Sequence, residues 1–270
     1  PEKRANAMSE LQSFGYEVAQ VDINLATDRW RAVQGKKLIP SFQTIKGLGM
    51  TTVEEILAER PYHSIEDFLW HKDGTWRHKK LTKTQLSALV KLGTFDSLGC
   101  IGPGKTFENY AHMHAVIVEH IPELKHKKHG RSSFAQLIDE SKGTPPWTRA
   151  ETMQFCLDLM GYFDASSALD ERVRVKLNEL GVQSLDEHDG STNLHWFIIT
   201  GAIKRLTKNG KDYQVLNVTC DTGKSHKLFC WGASHSVDFP LLVPCVAEVS
   251  KSDFGFATSM PKLKIVGKNR

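Results

Sequence analysis

The chain has 270 residues, enough for two domains or three, with 40% apolar and 24% charged residues, ordinary proportions for a soluble globular protein. A formal net charge of +4 is mild and by itself implies nothing about nucleic acid; no apolar run approaches the ~18 residues of a membrane span, so no membrane partner is expected. Five widely spaced cysteines without a Cys-x-x-Cys pair support neither a disulfide framework nor a structural zinc site, so no metal is expected and a reduced, cytoplasmic setting is. Because the chain starts at Pro1 and not Met, it is expected to be a segment of something longer or a processed product, and a catalytic centre can lie outside it.

Glu2–Phe14 reads as the end of an amphipathic helix, with Ala7, Leu11 and Phe14 on one side and Gly15 as its stop. Tyr16–Val21 is a strand candidate running into Val21-Asp22-Ile23-Asn24, and Gly35 marks a turn after Trp30–Val33. Ile39–Thr44 then leads into Ile45-Lys46-Gly47-Leu48-Gly49-Met50-Thr51-Thr52. Two glycines free to take positive φ let the backbone turn tightly and leave no Cβ in the way of a close visitor. Thr51 or Thr52 is expected to cap the helix that follows, whose Val53, Ile56 and Leu57 share a face. Free N–H groups at such a turn favour an anion, most simply a phosphate, with Lys46 and Thr51 placed to add contacts. This is the form of a helix-hairpin-helix motif, which holds DNA by its backbone and does not read bases. A tight turn and nothing more is the competing reading.

Pro61 ends that helix, and Ser64 is expected to cap a second one, Ile65–Trp70. Lys72, Arg77, Lys79, Lys80, Lys83 and Lys91 then face a single acid, Asp73, and read as a solvated face or, beside the hairpin, as a stripe binding the DNA backbone. The expected phosphate-binding set is Lys46, Gly47, Leu48, Gly49, Thr51, Thr52, Arg77, Lys79, Lys80 and Lys83. Trp70 and Trp76 could stack on bases, with core anchoring as the default. Leu81–Gly93 is a helix capped by Thr82 or Thr84, the second half of a tandem unit whose own hairpin is degenerate. Thr106–Ile121 is another; its His112, His114 and His120 have no acidic partner at a convincing ligand spacing and are expected to face solvent. Lys125–Arg131 reads as an exposed loop, Pro145-Pro146 breaks the chain, and helices at Thr148–Met160 and Leu169–Leu180 lead to an acidic boundary loop, Asp186–Gly190.

From Leu194 the pattern changes to strands. The candidates are Trp196–Ile203, with a bend at Gly201, then Tyr213–Cys220 behind the Asn209-Gly210 turn, and Lys227–Trp231 after Asp221-Thr222-Gly223. Leu241–Val249 and Leu263–Val266 follow a helical or loop insert at Ala233–Phe239. Five short strands with the insert between the third and fourth suit a small closed barrel of the OB type. From Lys204 onward eleven cations stand against five acids. The barrel is therefore expected to bind single-stranded DNA through Lys204, Arg205, Lys211, Tyr213, Lys227, Phe229 and Trp231, a plain scaffold or protein contact being the alternative. The fold class is α+β multidomain, a helical helix-hairpin-helix domain followed by a small all-β OB-type barrel.

Taken in order, several short motifs resemble the C-terminal part of the alpha subunit of C-family DNA polymerase III. They are Val21-Asp22-Ile23-Asn24, Thr44-Ile45-Lys46-Gly47-Leu48-Gly49 with Glu55-Ile56-Leu57, Ser64-Ile65-Glu66-Asp67-Phe68, Ala88–Gly99 and Leu159-Met160-Gly161-Tyr162. The resemblance implies an end-of-fingers region over 1–44, a tandem helix-hairpin-helix region gripping duplex DNA over 45–135, a helical connector over 136–190 and an OB domain over 191–270. It implies partners: duplex and single-stranded DNA, the polymerase core of a parent chain, and a sliding clamp bound through a Gln-x-x-hydrophobic-Phe peptide. Gly130-Arg131-Ser132-Ser133-Phe134 stands at that place with Arg131 where Gln belongs, and Ala165-Ser166-Ser167-Ala168 replaces a histidine-proline pair. Such divergence suits a phage-borne or distant relative. The family's metal-binding aspartates lie upstream, so the chain alone is not expected to polymerise and holds no cofactor, the Mg²⁺ ions belonging to the parent polymerase.

Two other classes compete with a DNA-binding polymerase segment. One is a standalone single-strand-binding or protein-interaction module. The other is a helix-hairpin-helix DNA glycosylase, for which Asp67 is the sole candidate acid near the hairpin.

Overall fold

The computed structural model describes residues 4, 7–8, 10–11, 14–252, 254–260 and 262–266. The chain divides into two compact units, one of Gly15–Met160 and one of Gly161–Arg270 with Pro1–Phe14. The expected helix at Glu2–Phe14 falls largely outside the described residues.

The Gly15–Met160 unit begins with a small sheet of β1 (Glu17–Val18), β2 (Arg31–Val33) and β3 (Lys37–Ile39), ordered β1-β3-β2. The Val21–Asn24 stretch that follows β1 is a polar staple. The Asp22 carboxylate accepts the N–H groups of Asn24, Leu25 and Ser97, and the Asn24 amide holds both the N–H and the carbonyl of Tyr62. Asp22 is itself buried, so these bonds replace the water it loses. Three helices come next: α1 (Met50–Ala58), α2 (Ile65–Leu69) and α3 (Lys83–Lys91). Ser64 caps α2 by accepting the Asp67 N–H. Thr82 caps α3 in a full capping box with Gln85. Their apolar faces meet in a core containing Ile23, Phe42, Val53, Ile56, Phe68, Leu86, Leu89 and Phe95.

Beyond α3 the expected Thr106–Ile121 helix is interrupted. A single turn α4 (Tyr110–Met113) passes into a π-helical turn at His114–Val118, then α5 (Ile121–Leu124), α6 (Gly130–Glu140) and α7 (Arg149–Met160). Two of its histidines are not solvent-facing. His112 is buried, accepting the Glu108 N–H through Nδ1 with Nε2 3.0 Å from the Ile138 carbonyl. His114 sits 2.8 Å from the Ser87 hydroxyl. Ser87 of α3 and Ile138 of α6 supply partners to those rings from elsewhere in the chain, which spacing along one helix cannot reveal.

In the other unit, α8 (Glu171–Glu179) and β4 (Gln183–Ser184) lead into β5 (Asn193–Leu206), β6 (Asp212–Thr219), β7 (Ser225–Trp231), β8 (Pro244–Ser252) and β9 (Gly255–Ser259), with β10 (Lys264–Ile265) on the outer edge of β8. Residues 161–190 thus group with the barrel and 136–160 with the helices, where the sequence suggested one connector. The ladder runs β5-β6-β7-β9-β8 and closes because β8 pairs back to β5; β7 and β9 are parallel and the other neighbours antiparallel. That circuit is the OB barrel. The fifth strand differs from expectation: Gly255–Ser259 closes the barrel, whereas Leu263–Val266 contributes only the short β10. The insert is loop, not helix, and buried Gln214 holds it by donating to the carbonyls of Ser234 and Val237. Phe197, Ile199, Leu216, Val218, Leu228, Cys230, Ala247 and Val249 fill the interior.

Candidate nucleic-acid interface

The hairpin before α1 is fixed from behind and open in front. Leu48 is buried, the Lys46 N–H donates to the Leu159 carbonyl, and Gln85 of α3 donates to the Gly47 carbonyl at 3.1 Å. Gly47 has φ 84, the left-handed turn that glycine permits. Gly49 is the N-cap of α1 and offers no side-chain cap. Among the described residues, the N–H groups of Gly47, Gly49, Met50 and Thr51 donate to nothing in the protein, and a Cβ at either glycine would meet nothing within 4 Å. Unpaired donors at a helix N-terminus, with the positive end of its dipole behind them, bind an anion without rearrangement.

The cap expectation is corrected here. Neither threonine caps α1: Thr52 is buried and its hydroxyl lies 3.2 Å from Gln85 Oε1 and 3.4 Å from the Lys80 carbonyl, which ties α1 to α3. Thr51 is exposed at the open turn. Lys46, Lys79 and Lys80 are exposed, and among the described residues their ammonium groups have no carboxylate within ion-pair distance. The Glu55 carboxylate accepts the Lys79 and Lys80 backbone N–H groups, fixing the chain from which those two side chains project. Lys83 is instead paired with Glu119 at 2.7 Å. Arg77 is engaged internally, bonded to Glu59 at 2.9 Å, to Asp67 at 2.8 Å and to the Trp70 carbonyl, its side chain 12% exposed. An arginine so enclosed holds the fold and leaves the phosphate set, as does Thr52. The same pairing occupies Asp67, whose other oxygen accepts the His63 N–H, so the glycosylase reading loses its acid.

The turn after α3 at Leu92–Phe95, where a degenerate second hairpin was expected, is closed. Gly93 and Thr94 donate to the Val90 and Leu89 carbonyls, while Gln20 and Tyr110 cover the carbonyl of Gly93. A Cβ on Gly93 would lie 2.1 Å from Gln20 Nε2. Trp70 is buried with its indole N–H on the Leu124 carbonyl, and Trp76 packs edge-on against it, so core anchoring is what the fold uses. The clamp expectation is also corrected. Gly130–Phe134 is the first part of α6, Phe134 is buried edge-on to Trp70 at 5.2 Å, and the Gly130 backbone abuts that of Leu124. A buried phenylalanine in a helix offers no peptide to a partner.

On the barrel, strand register decides which side chains share a face. Arg205, Tyr213 and Trp231 align across β5, β6 and β7, and Ile203, Val215 and Phe229 form the adjacent row. Gly201, Asn217 and Lys227 make a third. All point away from the core. Tyr213 and Trp231 have ring centroids 4.8 Å apart, and Phe229 lies nearly parallel to Trp231 at 5.9 Å and 16°. Trp231 is 44% exposed. The result is an aromatic stripe flanked by Arg205 and Lys227, with Lys211 at the neighbouring β5–β6 turn. Lys204 does not join it: it pairs with Gln214 in register, on the other side of the sheet, and its ammonium is 3.3 Å from Asp238. Ile203, Val215 and Asn217 of this face, and Gln85 behind the hairpin, were not expected; alternation along each strand marks the first three, and nothing local marks Gln85.

No helix among the described residues is long and apolar enough to cross a membrane. Residues 15–101 match the helix-hairpin-helix motif family. Over 108 residues the chain is 38% identical to the DNA polymerase III subunit alpha of Chlamydia trachomatis, covering 38% of this chain and 8% of that protein. The corresponding subunit of Treponema pallidum is 25% identical over 229 residues, covering 78% of this chain and 18% of its own length. That of Chlamydia pneumoniae is 27% identical over 255 residues, covering 85% and 19%. The chain is homologous to a segment of DNA polymerase III subunit alpha and spans less than a fifth of the length of these relatives. They are bacterial, and a phage origin has no support among them.

Proposed function

We propose, from this homology to a segment of DNA polymerase III subunit alpha, that the chain is a DNA-binding portion of a replicative polymerase. It holds duplex backbone at the open hairpin and single-stranded template on the aromatic face of the barrel. The observation that carries the reading is the row of free N–H groups at Gly47, Gly49, Met50 and Thr51, framed by Lys46, Lys79 and Lys80 with no anion against them among the described residues. Backbone donors recognise phosphate and ignore base identity, as a replicative enzyme requires. The barrel contributes stacking without sequence preference: each base laid on Tyr213, Phe229 or Trp231 is worth roughly 1–3 kcal/mol, with Arg205, Lys211 and Lys227 for the backbone. OB barrels use this face of their second and third strands, here β6 and β7. In this reading the chain's own groups bind and orient DNA, and phosphoryl transfer belongs to the rest of the polymerase.

Fluorescence anisotropy of the whole chain with duplex, single-stranded and primer-template DNA across a salt series tests the proposal. Binding to all three, falling steeply with salt, supports it. Absence of binding at low salt leaves the barrel as a scaffold or protein contact.

A further inference from the structure

The second site lies at the far end of the β6–β7 hairpin from the aromatic stripe. There Asp186 of the segment Leu185–Glu187, Cys220 at the end of β6 and His226 of β7 bring a carboxylate oxygen, a thiol sulfur and an imidazole nitrogen within 4.8 Å of one another. We propose that Asp186, Cys220 and His226 bind one zinc(II) ion, with water as the fourth ligand. Among the described residues no other group of three such side chains lies so close.

The donor set fits the ion. Thiolate and imidazole together select zinc over magnesium or calcium, and a thiolate with a carboxylate neutralises its two charges. Donors around a tetrahedral zinc stand roughly 3.3–3.8 Å apart, given bonds of about 2.0–2.3 Å. His226 Nε2 and Asp186 Oδ1 are now 2.9 Å apart and would separate by about 0.4 Å to admit the ion between them. Asp186 already has an outer hydrogen bond of the kind that supports metal sites, and its two fellow ligands are held by their neighbours. Thr222 donates to Asp186 Oδ2 at 2.6 Å and leaves Oδ1 facing the site, the Cys220 N–H is held by the Lys224 carbonyl, and the Phe256 ring stands edge-on to His226. Cys220 is fully buried, while the Asp186 and His226 side chains are 10% and 16% exposed, an opening suited to one water. Asp221 is not the fourth ligand, because Arg174 holds both its oxygens.

On binding, the Cys220 sulfur loses its proton to solvent and coordinates as thiolate, and His226 coordinates through Nε2 with its proton on Nδ1. Without the ion, the His226 imidazole hydrogen-bonds directly to Asp186 at 2.9 Å and occupies the same space. The ion would fasten the Leu185–Glu187 segment to the hairpin whose strands carry Tyr213, Phe229 and Trp231.

The test uses the whole chain stripped with chelator, then titrated with zinc against a chromophoric chelator and with cobalt(II) as an optical probe. Expected are one ion per chain, a thiolate-to-cobalt charge-transfer band lost in Cys220→Ser, and X-ray absorption of the zinc form showing a single sulfur at ~2.3 Å. Thr222→Val, at an exposed position, should weaken binding about 10- to 100-fold. Failure to bind zinc stoichiometrically, coordination without sulfur, or a charge-transfer band that survives Cys220→Ser would overturn the proposal. X-ray absorption of the unmutated chain decides the matter even if Cys220→Ser does not fold.

Discussion

Gly49→Asp separates the stability of the hairpin from its proposed function. Gly49 has φ −73 and ψ 154, an extended conformation open to any residue, and nothing lies within 4 Å of an added Cβ. As N-cap of α1, an aspartate would accept a first-turn N–H, better than glycine by a few tenths of a kcal/mol, and its charge would gain ~0.3–1 kcal/mol from the helix dipole. Thermal stability should therefore hold or rise. The same carboxylate would occupy the donors offered to phosphate and repel the anion. Two unit charges roughly 6 Å apart at an effective dielectric near 20 repel by about 3 kcal/mol before screening. Allowing for salt, at least ~1.4 kcal/mol should remain, a tenfold loss of duplex affinity. Anisotropy with duplex DNA alongside a thermal melt reads both quantities. Undiminished duplex affinity in a variant of equal or higher melting temperature would refute the hairpin as the phosphate site. Gly47→Ala is a poorer test, since φ 84 strains any side chain by roughly 1–2 kcal/mol and mixes folding with binding.

Other consequences can be measured on the same protein. Trp231→Ala should weaken single-strand binding about 5- to 100-fold, the value of one lost base stack, with little change in melting temperature because the ring is exposed. Lys227→Ala should reduce the salt slope of single-strand binding by about 0.7, whereas Lys204→Ala, on the opposite side of the sheet, should leave it unchanged. Gly93→Ala should cost well over 1 kcal/mol in urea unfolding, as the new methyl displaces Gln20 from a turn already at φ 65. His78 is fully buried, and burial holds its imidazole at about 4, below the ordinary 6.5. The unfolded chain therefore binds a proton that the native chain refuses between those values, so stability should fall as pH drops from ~6.5 to ~4, by up to a few kcal/mol. Urea unfolding across that range checks this, and His78→Phe should flatten the dependence.

Local rules made the hairpin and most of the barrel legible, since Lys46-Gly47-Leu48-Gly49 and the alternation of Tyr213–Cys220 each carry their geometry in a few residues. Longer-range facts stayed hidden. Thr52 has the chemistry of a cap, but its hydroxyl turns to Gln85, 33 residues on. Arg77 reads as a surface cation until Glu59 and Asp67 are seen around it. Lys204 and Arg205 look equivalent in sequence; the irregularity between Ile199 and Gly201 shifts the alternation and sends Arg205, not Lys204, to the aromatic side. The fifth strand was misplaced because Gly255-Phe256-Ala257-Thr258-Ser259 is a weak strand former locally, stabilised by pairing on both sides with β7 and β8. Phe134 shows the same limit, its burial depending on Trp70, far away in the chain.

The division of labour between hairpin and barrel is the central claim. Its most direct test measures duplex and single-strand affinities of Gly49→Asp and Trp231→Ala in one buffer, against the unmutated chain. The account predicts a crossed result: the first variant loses duplex binding and keeps single-strand binding, and the second does the reverse. Parallel losses of both DNA forms in each folded variant, or no loss in either, would contradict it.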